Sequence, residues 1–144
     1  AAKIAFSHHH TAIVEEELSG RTVECAVLGN SYEIEVTALG EVLKQRLDNP
    51  FASYTAQFTV SPVLAPEEKE KIKAVAVKAF KVLNFKGYAK MSFKLSGERI
   101  MLRRIATIPG FTEESVLPML MCESGYCYRE ALDRLVSLAL DTCS

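Results

Sequence analysis

The chain has 144 residues, enough for one domain with a sizeable core. Hydrophobic residues make up 49% and charged residues 24%, with a formal net charge of −1, so no global field draws it to nucleic acid or an acidic membrane. No apolar run approaches the roughly 18 residues that a membrane span requires, and residues 1–6 lack the basic head and apolar middle of a signal peptide.

Residues 12–18, "AIVEEEL", predict a short strand. His8, His9 and His10 precede it and are expected in a surface turn. Consecutive residues project in different directions, so three adjacent histidines do not converge on one ion; weak nickel or zinc capture is the alternative. "RTVECAVLG" (21–29) alternates with period 2, and Gly29-Asn30 supplies a turn before "SYEIEVTAL", which predicts a hairpin. Residues 40–60 mix a polar stretch with Asn49-Pro50 and predict a loop followed by a short strand.

Residues 65–84 carry the clearest helix pattern. Pro66 sits at its start, Glu67 and Glu68 occupy the positive end of the dipole, and lysines follow. Ile72, Val75, Ala76, Ala79, Val82 and Leu83 fall at helical spacing on one face. Two strands come next, "GYAKMSFKL" and "ERIMLRRIATI", joined at Ser96-Gly97. On a regular strand Arg103 and Arg104 point to opposite sides. They are therefore expected to form, with Lys90 and Lys94, a solvated basic surface rather than one anion- or nucleic-acid-binding cluster.

After Pro109-Gly110 the pattern predicts a short helix over 113–123 and an amphipathic helix over 128–141, with Leu132, Leu135, Val136 and Ala139 inward. Tyr126-Cys127-Tyr128 between them is expected to tuck an aromatic under the last helix. Cys25, Cys122, Cys127 and Cys143 form no C-x-x-C pair and suit no common zinc spacing. They read as free, mostly buried thiols of a reducing, cytoplasmic compartment. Together the elements predict a single α+β domain over 1–144, an antiparallel sheet covered by helices.

Three stretches are specific beyond this pattern: "VEEELSGRTVECAVLGN", "KAFKVLNFKGYAKMSFKLSGERIMLRRIATIPGFTEESVLP" and "ESGYCYREALDRLVSLAL". In order and spacing they resemble the C-terminal ATP-grasp region of D-alanine–D-alanine ligases, over nearly the whole chain. The string T-I-P-G-F-T-x-x-S-x-x-P, here Thr107 to Pro118, is quite specific to that family. The resemblance implies the C-terminal ATP-grasp subdomain, with the chain starting at what resembles the last helix of the other subdomain. The family's N-terminal domain and the rest of that other subdomain have no counterpart in this sequence. Members join two D-alanines using ATP, through an acyl phosphate that a second amine attacks. Two magnesium ions, held by carboxylates and an amide, neutralise the phosphates.

The resemblance also shows where the family's chemistry is missing. Its last strands read approximately R-x-D-F-F and L-N-E-I-N-T-I-P-G-F-T. The matching residues are Lys90, Ser92, Phe93 and Lys94, then Leu102, Arg103, Arg104, Ile105 and Ala106. The family's metal-binding Asp, Glu and Asn thus fall on Ser92, Arg104 and Ala106. Arginine offers no oxygen donor to magnesium and repels the cation, so metal binding is expected to be lost. Glu15, Glu16 and Glu17 are vestigial nucleotide-hinge positions, Glu17 standing where an apolar neighbour of adenine is usual. Such a run more commonly alternates between a solvated face and a sheet edge. The acid that holds the ribose aligns with Thr22. The substrate loop keeps its apolar frame around Tyr54 without its charged groups. Gly110 and Ser115 are the other vestigial substrate positions, and Ser115 reads equally as a polar residue early in a helix.

The expectation is a catalytically inactive ATP-grasp subdomain with no cofactor, ATP and magnesium belonging to the parent family. Its surface charges suit an engineered or selected folding unit; a decayed pseudoenzyme leaves similar losses. The alternatives are a ligase fragment with residual ATP binding, or an interaction or oligomerisation module using the former clamp face. No partner is implied, neither nucleic acid nor membrane, and the expected state is a monomer or weak homodimer.

Overall fold

The computed structural model describes residues 2–14, 16–30, 33–44 and 57–142. The strand β1 (Arg21–Gly29) organises them because it is apolar on both sides. Val23, Cys25 and Val27 point one way, Ala26 and Leu28 the other, and all are fully buried. A strand of that kind must be covered on both faces, which places it inside a sheet with helices on each side.

Around it lie β2 (Ile34–Val36), β3 (Gly40–Lys44), β4 (Gln57–Val60), β5 (Gly87–Ser96) and β6 (Arg99–Ala106). Every pairing is antiparallel, in the order β4-β3-β1-β5-β6, with β2 pairing the far end of β1 beside β3. The helices are α1 (Ala2–His8), α2 (Pro66–Val82), α3 (Val116–Glu123) and α4 (Tyr128–Thr142). This is the expected α+β architecture, an antiparallel sheet covered by helices. The predicted hairpin is present: Val27 faces Val36 and Gly29 faces Ile34.

One face of the sheet carries Val23, Cys25, Val27, Ala89, Met91, Phe93 and Leu95, closed by Ile72, Ala76 and Phe80 of α2. The opposite face carries Ala26 and Leu28 against Leu117, Met121, Ala131 and Leu138 of α3 and α4. Tyr126 packs on this second core, and its hydroxyl donates to Glu35 at 2.8 Å, so the aromatic before α4 is tucked in as expected. Glu35 also raises the Tyr126 pKa above the usual phenol value, through that hydrogen bond first and burial second.

Several expectations are corrected. Residues 12–14 and 16–18 form no strand, and Ile13 and Val14 are exposed. Among the described residues no strand pairs with them, so Glu16 and Glu17 do not sit on a sheet edge there; Glu15 lies outside the described residues. His8 closes α1 instead of forming a turn, and His9 and His10 stack with ring centroids 4.1 Å apart. The stretch after residue 40 opens with β3 rather than a loop, because β1 offers its edge to Gly40, Glu41 and Val42.

On α2 the inward row is Ile72, Ala76 and Phe80, flanked by Val75 and Ala79, while Val82 and Leu83 are exposed where the helix ends. On α4 the inward row is Ala131, Leu135 and Leu138. Leu132, Val136 and Ala139 face out, since this helix carries two apolar stripes and the sheet accommodates one. Cys25 is buried, but Cys122 and Cys127 are exposed, against the expectation of mostly buried thiols; Cys143 lies outside the described residues.

Candidate functional site

The strands that face α3 and α4 are only half covered. Their alternation places Glu24 on the same side as Ala26 and Leu28 of β1, and Lys90 and Ser92 on the same side of β5 as Tyr88. The helices close over Ala26, Leu28 and Tyr88. Glu24, Lys90 and Ser92 lie beyond them and floor an open cleft of about 530 Å³. One wall is β6 with the following turn, Ile108, Pro109 and Gly110. The other is the start of α3, with Val42 and Phe58 from β3 and β4 at the edge.

Pairing register brings together the positions expected to be degraded metal ligands. Ser92 faces Arg104 across β5 and β6, Lys90 faces Ala106, and Glu24 faces Ser92 on the other side. Gly110 and Ser115 line the same cleft. The remaining positions do not join them. Thr22 sits farther along β1, opposite Val42 and Lys94, and does not line the cleft; Glu16 and Glu17 are exposed outside it. Tyr54 lies outside the described residues.

A β-bulge changes the expected placement of the two arginines. Ser92 pairs with Arg104 but Phe93 pairs with Leu102, so Arg103 is an extra residue in β6. The bulge switches strand parity. Ile100 and Leu102 pack toward the α2 core, and so does Ile105, three positions on instead of two. Arg103 from before the switch and Arg104 from after it therefore both line the cleft. The expectation that they diverge does not hold. Lys94 stays apart and donates to the Gly20 carbonyl at 3.1 Å.

The charges in the cleft are unevenly partnered. Lys90 Nζ meets Glu24 Oε2 at 2.7 Å, with side-chain exposures of 19% and 12%, so that pair is mutually neutralised. Arg103 and Arg104 are exposed to the cleft and form no ion pair among the described residues. Glu114 is the other carboxylate of the lining. Ser115 is buried: its hydroxyl accepts from the Thr112 N–H at 3.1 Å and is bonded to Thr112 Oγ1 at 2.8 Å. That hydroxyl fastens the turn into α3, and it makes no capping bond to the helix itself.

Magnesium requires a near-octahedral shell of oxygen donors. The three positions expected to match the family's metal ligands, Ser92, Arg104 and Ala106, supply one hydroxyl, one guanidinium and one methyl group, while Glu24 is committed to Lys90. These residues do not fit the ion. Nor, among the described residues, does the cleft hold a thiol nucleophile: Cys25 is on the opposite face, its thiol pushed up to about 12 by burial and secondarily by Glu24.

Glu24, Glu114 and Val42 are parts of the site that reading the sequence missed, while Phe58 closes the substrate-loop segment whose apolar frame the resemblance keeps. The bulge left a trace that could have been found, the interval of two and then three between Ile100, Leu102 and Ile105.

Comparison with known proteins matches residues 1–137 to the family described as D-ala D-ala ligase C-terminus. D-alanine–D-alanine ligase A of Escherichia coli (strain K12) is 35% identical over 150 residues, covering 98% of this chain and 40% of the relative. The D-alanine–D-alanine ligase of Blochmanniella floridana is 33% identical over 147 residues, covering 98% of this chain and 42% of the relative. The chain thus spans about 40% of the length of the curated relatives it matches. Among solved structures, the D-alanine-D-alanine ligase from Coxiella burnetii superposes with a TM-score of 0.77 at 32% identity, covering 89% of this chain and 34% of that one. Among the described residues no helix is long and apolar enough to cross a membrane.

Proposed function

The chain belongs to the D-alanine–D-alanine ligase family, spanning its C-terminal ATP-grasp region, and on that premise we propose that this polypeptide is a catalytically inactive subdomain that neither holds magnesium nor ligates D-alanine. One observation carries the reading. Arg104 stands opposite Ser92 and two residues from Ala106 in the cleft, where the family places oxygen ligands. A metal-assisted phosphoryl transfer needs oxygen donors to hold its cation, and a guanidinium offers none and repels the ion. The preserved cores on both sheet faces beside a stripped cleft are what a folding unit, engineered or selected, retains. A cytoplasmic setting goes with that reading.

The test is a manganese titration followed by paramagnetic broadening of amide signals, run beside a coupled assay for ADP release with D-alanine and ATP. The expected result is no broadening centred on Ser92, Arg104 and Gly110, and no ADP release. Manganese broadening at those amides, or turnover above background, overturns the reading.

A second reading is favoured by one observation. Ile13, Val14, Val63 and Ile108 are 87%, 95%, 91% and 92% exposed, so charge has not replaced every aliphatic group at the surface. An interaction or oligomerisation module would cover such groups. Light scattering across a concentration series decides it, a strictly monomeric species counting against the module.

A further inference from the structure

We propose that the outward face of α2 is a docking surface for an anionic lipid bilayer, where lysines meet the headgroups and the aliphatic tip of the helix enters between them. This face lies across the sheet from the cleft, so the proposal goes beyond the metal-free reading and does not depend on it.

The sequence segregates charge here. Residues 71–86 hold five lysines and no aspartate, glutamate or arginine, although the whole chain has a net charge of −1. α2 turns Ile72, Ala76 and Phe80 into the core, which leaves Lys78 and Lys81 exposed on its other side, with Lys86 exposed just past the helix end. Among the described residues none of these three lysines forms an ion pair. The acids of α2 stand near its start, and Glu70 already meets Lys73 at 3.9 Å. Lys81 is about 16 Å from Glu70 along the helix axis, farther than the roughly 10 Å over which salt screens charge. The end of α2 therefore presents a local positive field.

Apolar groups accompany the charge. Ala74, Val77 and Val82 line a shallow groove between Lys73, Lys78 and Lys81. At the helix end Asn84 takes a left-handed φ of 53°, and the Phe85 N–H donates to the Phe80 carbonyl at 3.0 Å. That closure folds the chain back onto the helix, and Phe85 packs on Phe80 with ring centroids 5.8 Å apart. With Phe85 turned in, Val82 and Leu83 are held outward, 74% and 52% exposed, by a bonded cap rather than a frayed end.

These features choose among anionic partners. A nucleic acid is gripped by arginine forks and stacked on exposed aromatics, whereas this face has no arginine and both of its rings pack inward. Nucleic acid also gives exposed aliphatic groups nothing to enter. A bilayer surface uses both kinds of group. Lysine stems lie along apolar surface while their ammoniums reach the headgroups, and aliphatic side chains sink to the acyl boundary. Each lysine near an anionic leaflet strengthens partitioning about fivefold, so this cluster supports reversible attachment rather than permanent anchoring.

The probe is vesicles of phosphatidylglycerol and phosphatidylcholine at about one to two, compared with vesicles of phosphatidylcholine alone and read by cosedimentation at about 0.1 M salt. Saturable binding to the first and none to the second is expected, and it should be lost at about 0.5 M salt as the charges are screened. Lys78→Gln with Lys81→Gln should weaken it roughly 25-fold. Val82→Ser with Leu83→Ser should weaken it several-fold while leaving the salt dependence of the remainder unchanged. Arg129→Gln, on α4 across the sheet, should have no effect. All these side chains are exposed, and a thermal melt of each variant verifies that it remains folded. Equal binding to both kinds of vesicle, or affinity unchanged in the lysine variant, overturns the proposal. Tighter binding to a single-stranded oligothymidylate also overturns it and assigns the face to nucleic acid. Light scattering without lipid reads the remaining occupant: concentration-dependent association abolished by the lysine changes assigns the face to a second copy and overturns the bilayer. None of these measurements involves manganese or ADP release, so failure here is distinguishable from failure of the metal-free reading.

Discussion

Replacing Lys90 by Met should destabilise the protein by stranding Glu24 in the cleft floor. The two groups meet at 2.7 Å, with side-chain exposures of 19% and 12%. At an effective dielectric constant of about 20 the attraction at that distance is roughly 6 kcal/mol, most of it offset by desolvation of both ions. Removing the cation leaves the carboxylate desolvated without its partner, which costs about 2–3 kcal/mol at this degree of burial. Arg103 and Arg104 share the cleft and can swing toward Glu24, which favours the lower end. About 2 kcal/mol corresponds to a fall of roughly 4–8 °C in Tm for a chain of this size. The double variant Glu24→Gln with Lys90→Met removes both charges and should cost clearly less than the sum of the single changes. Thermal unfolding followed by circular dichroism reads all three, and high salt should shrink the Lys90→Met effect only partly. An unchanged Tm for Lys90→Met, or single effects that simply add, would refute the reasoning.

Gly40 lies on β3 where a Cβ would come within 2.0 Å of Phe58 Cζ, so Gly40→Ala must push the ring aside. A loss of about 1–3 kcal/mol in urea unfolding is expected, partly recovered by Phe58→Leu. Deleting Arg103 removes the extra residue of the bulge and lets Leu102, Arg104 and Ile105 alternate regularly while each keeps its face. The variant should fold with contacts from Phe93 to Leu102 and from Met91 to Ile105 retained in nuclear Overhauser spectra, and their loss would contradict the bulge. Arg21 grips Glu41 through Nε at 2.8 Å and Nη2 at 2.7 Å, and this hydrogen bonding holds the Glu41 carboxyl below its usual pKa. A depressed carboxylate contributes stability above its unfolded pKa and loses it as pH falls through the folded value. Glu41→Gln should therefore cost about 1 kcal/mol at neutral pH and flatten the acid limb of the stability curve, measured by denaturant midpoint against pH.

Legibility differed from element to element for physical reasons. The helix over 65–84 announced itself because Pro66, Glu67 and Glu68 mark its start and Ile72 and Ala76 recur at its period. Phe80 completes the buried row, yet Val82 and Leu83 fit the period equally well and protrude where α2 ends. The predicted strand at 12–18 shows the converse: β-branched residues such as Ile13 and Val14 make a strand only when an edge is available to pair them. β3 was read as part of a loop because residues 40–60 mix a polar stretch with Asn49-Pro50, whereas the edge of β1 and the Arg21 guanidinium hold Gly40 and Glu41 extended. In the site, Ser92, Arg104, Ala106, Gly110 and Ser115 were each visible through the resemblance, but Glu24 and Glu114 were not, because their place in the cleft comes from neighbours distant in sequence.

Local order by itself determined the hairpin that follows β1, the extents of α2, α3 and α4 within a few residues, and the family of the chain. These follow from side-chain identity and spacing along one segment. Tertiary structure decided which stripe of α4 is buried, which half of the sheet stays open, and that Arg103 and Arg104 share one cleft. Each depends on a second element. A helix with two apolar stripes is resolved only by the surface it meets, and a bulge exists only as a mismatch between two paired strands. The positive cleft is thus a product of the register between β5 and β6, which no single stretch of the sequence contains.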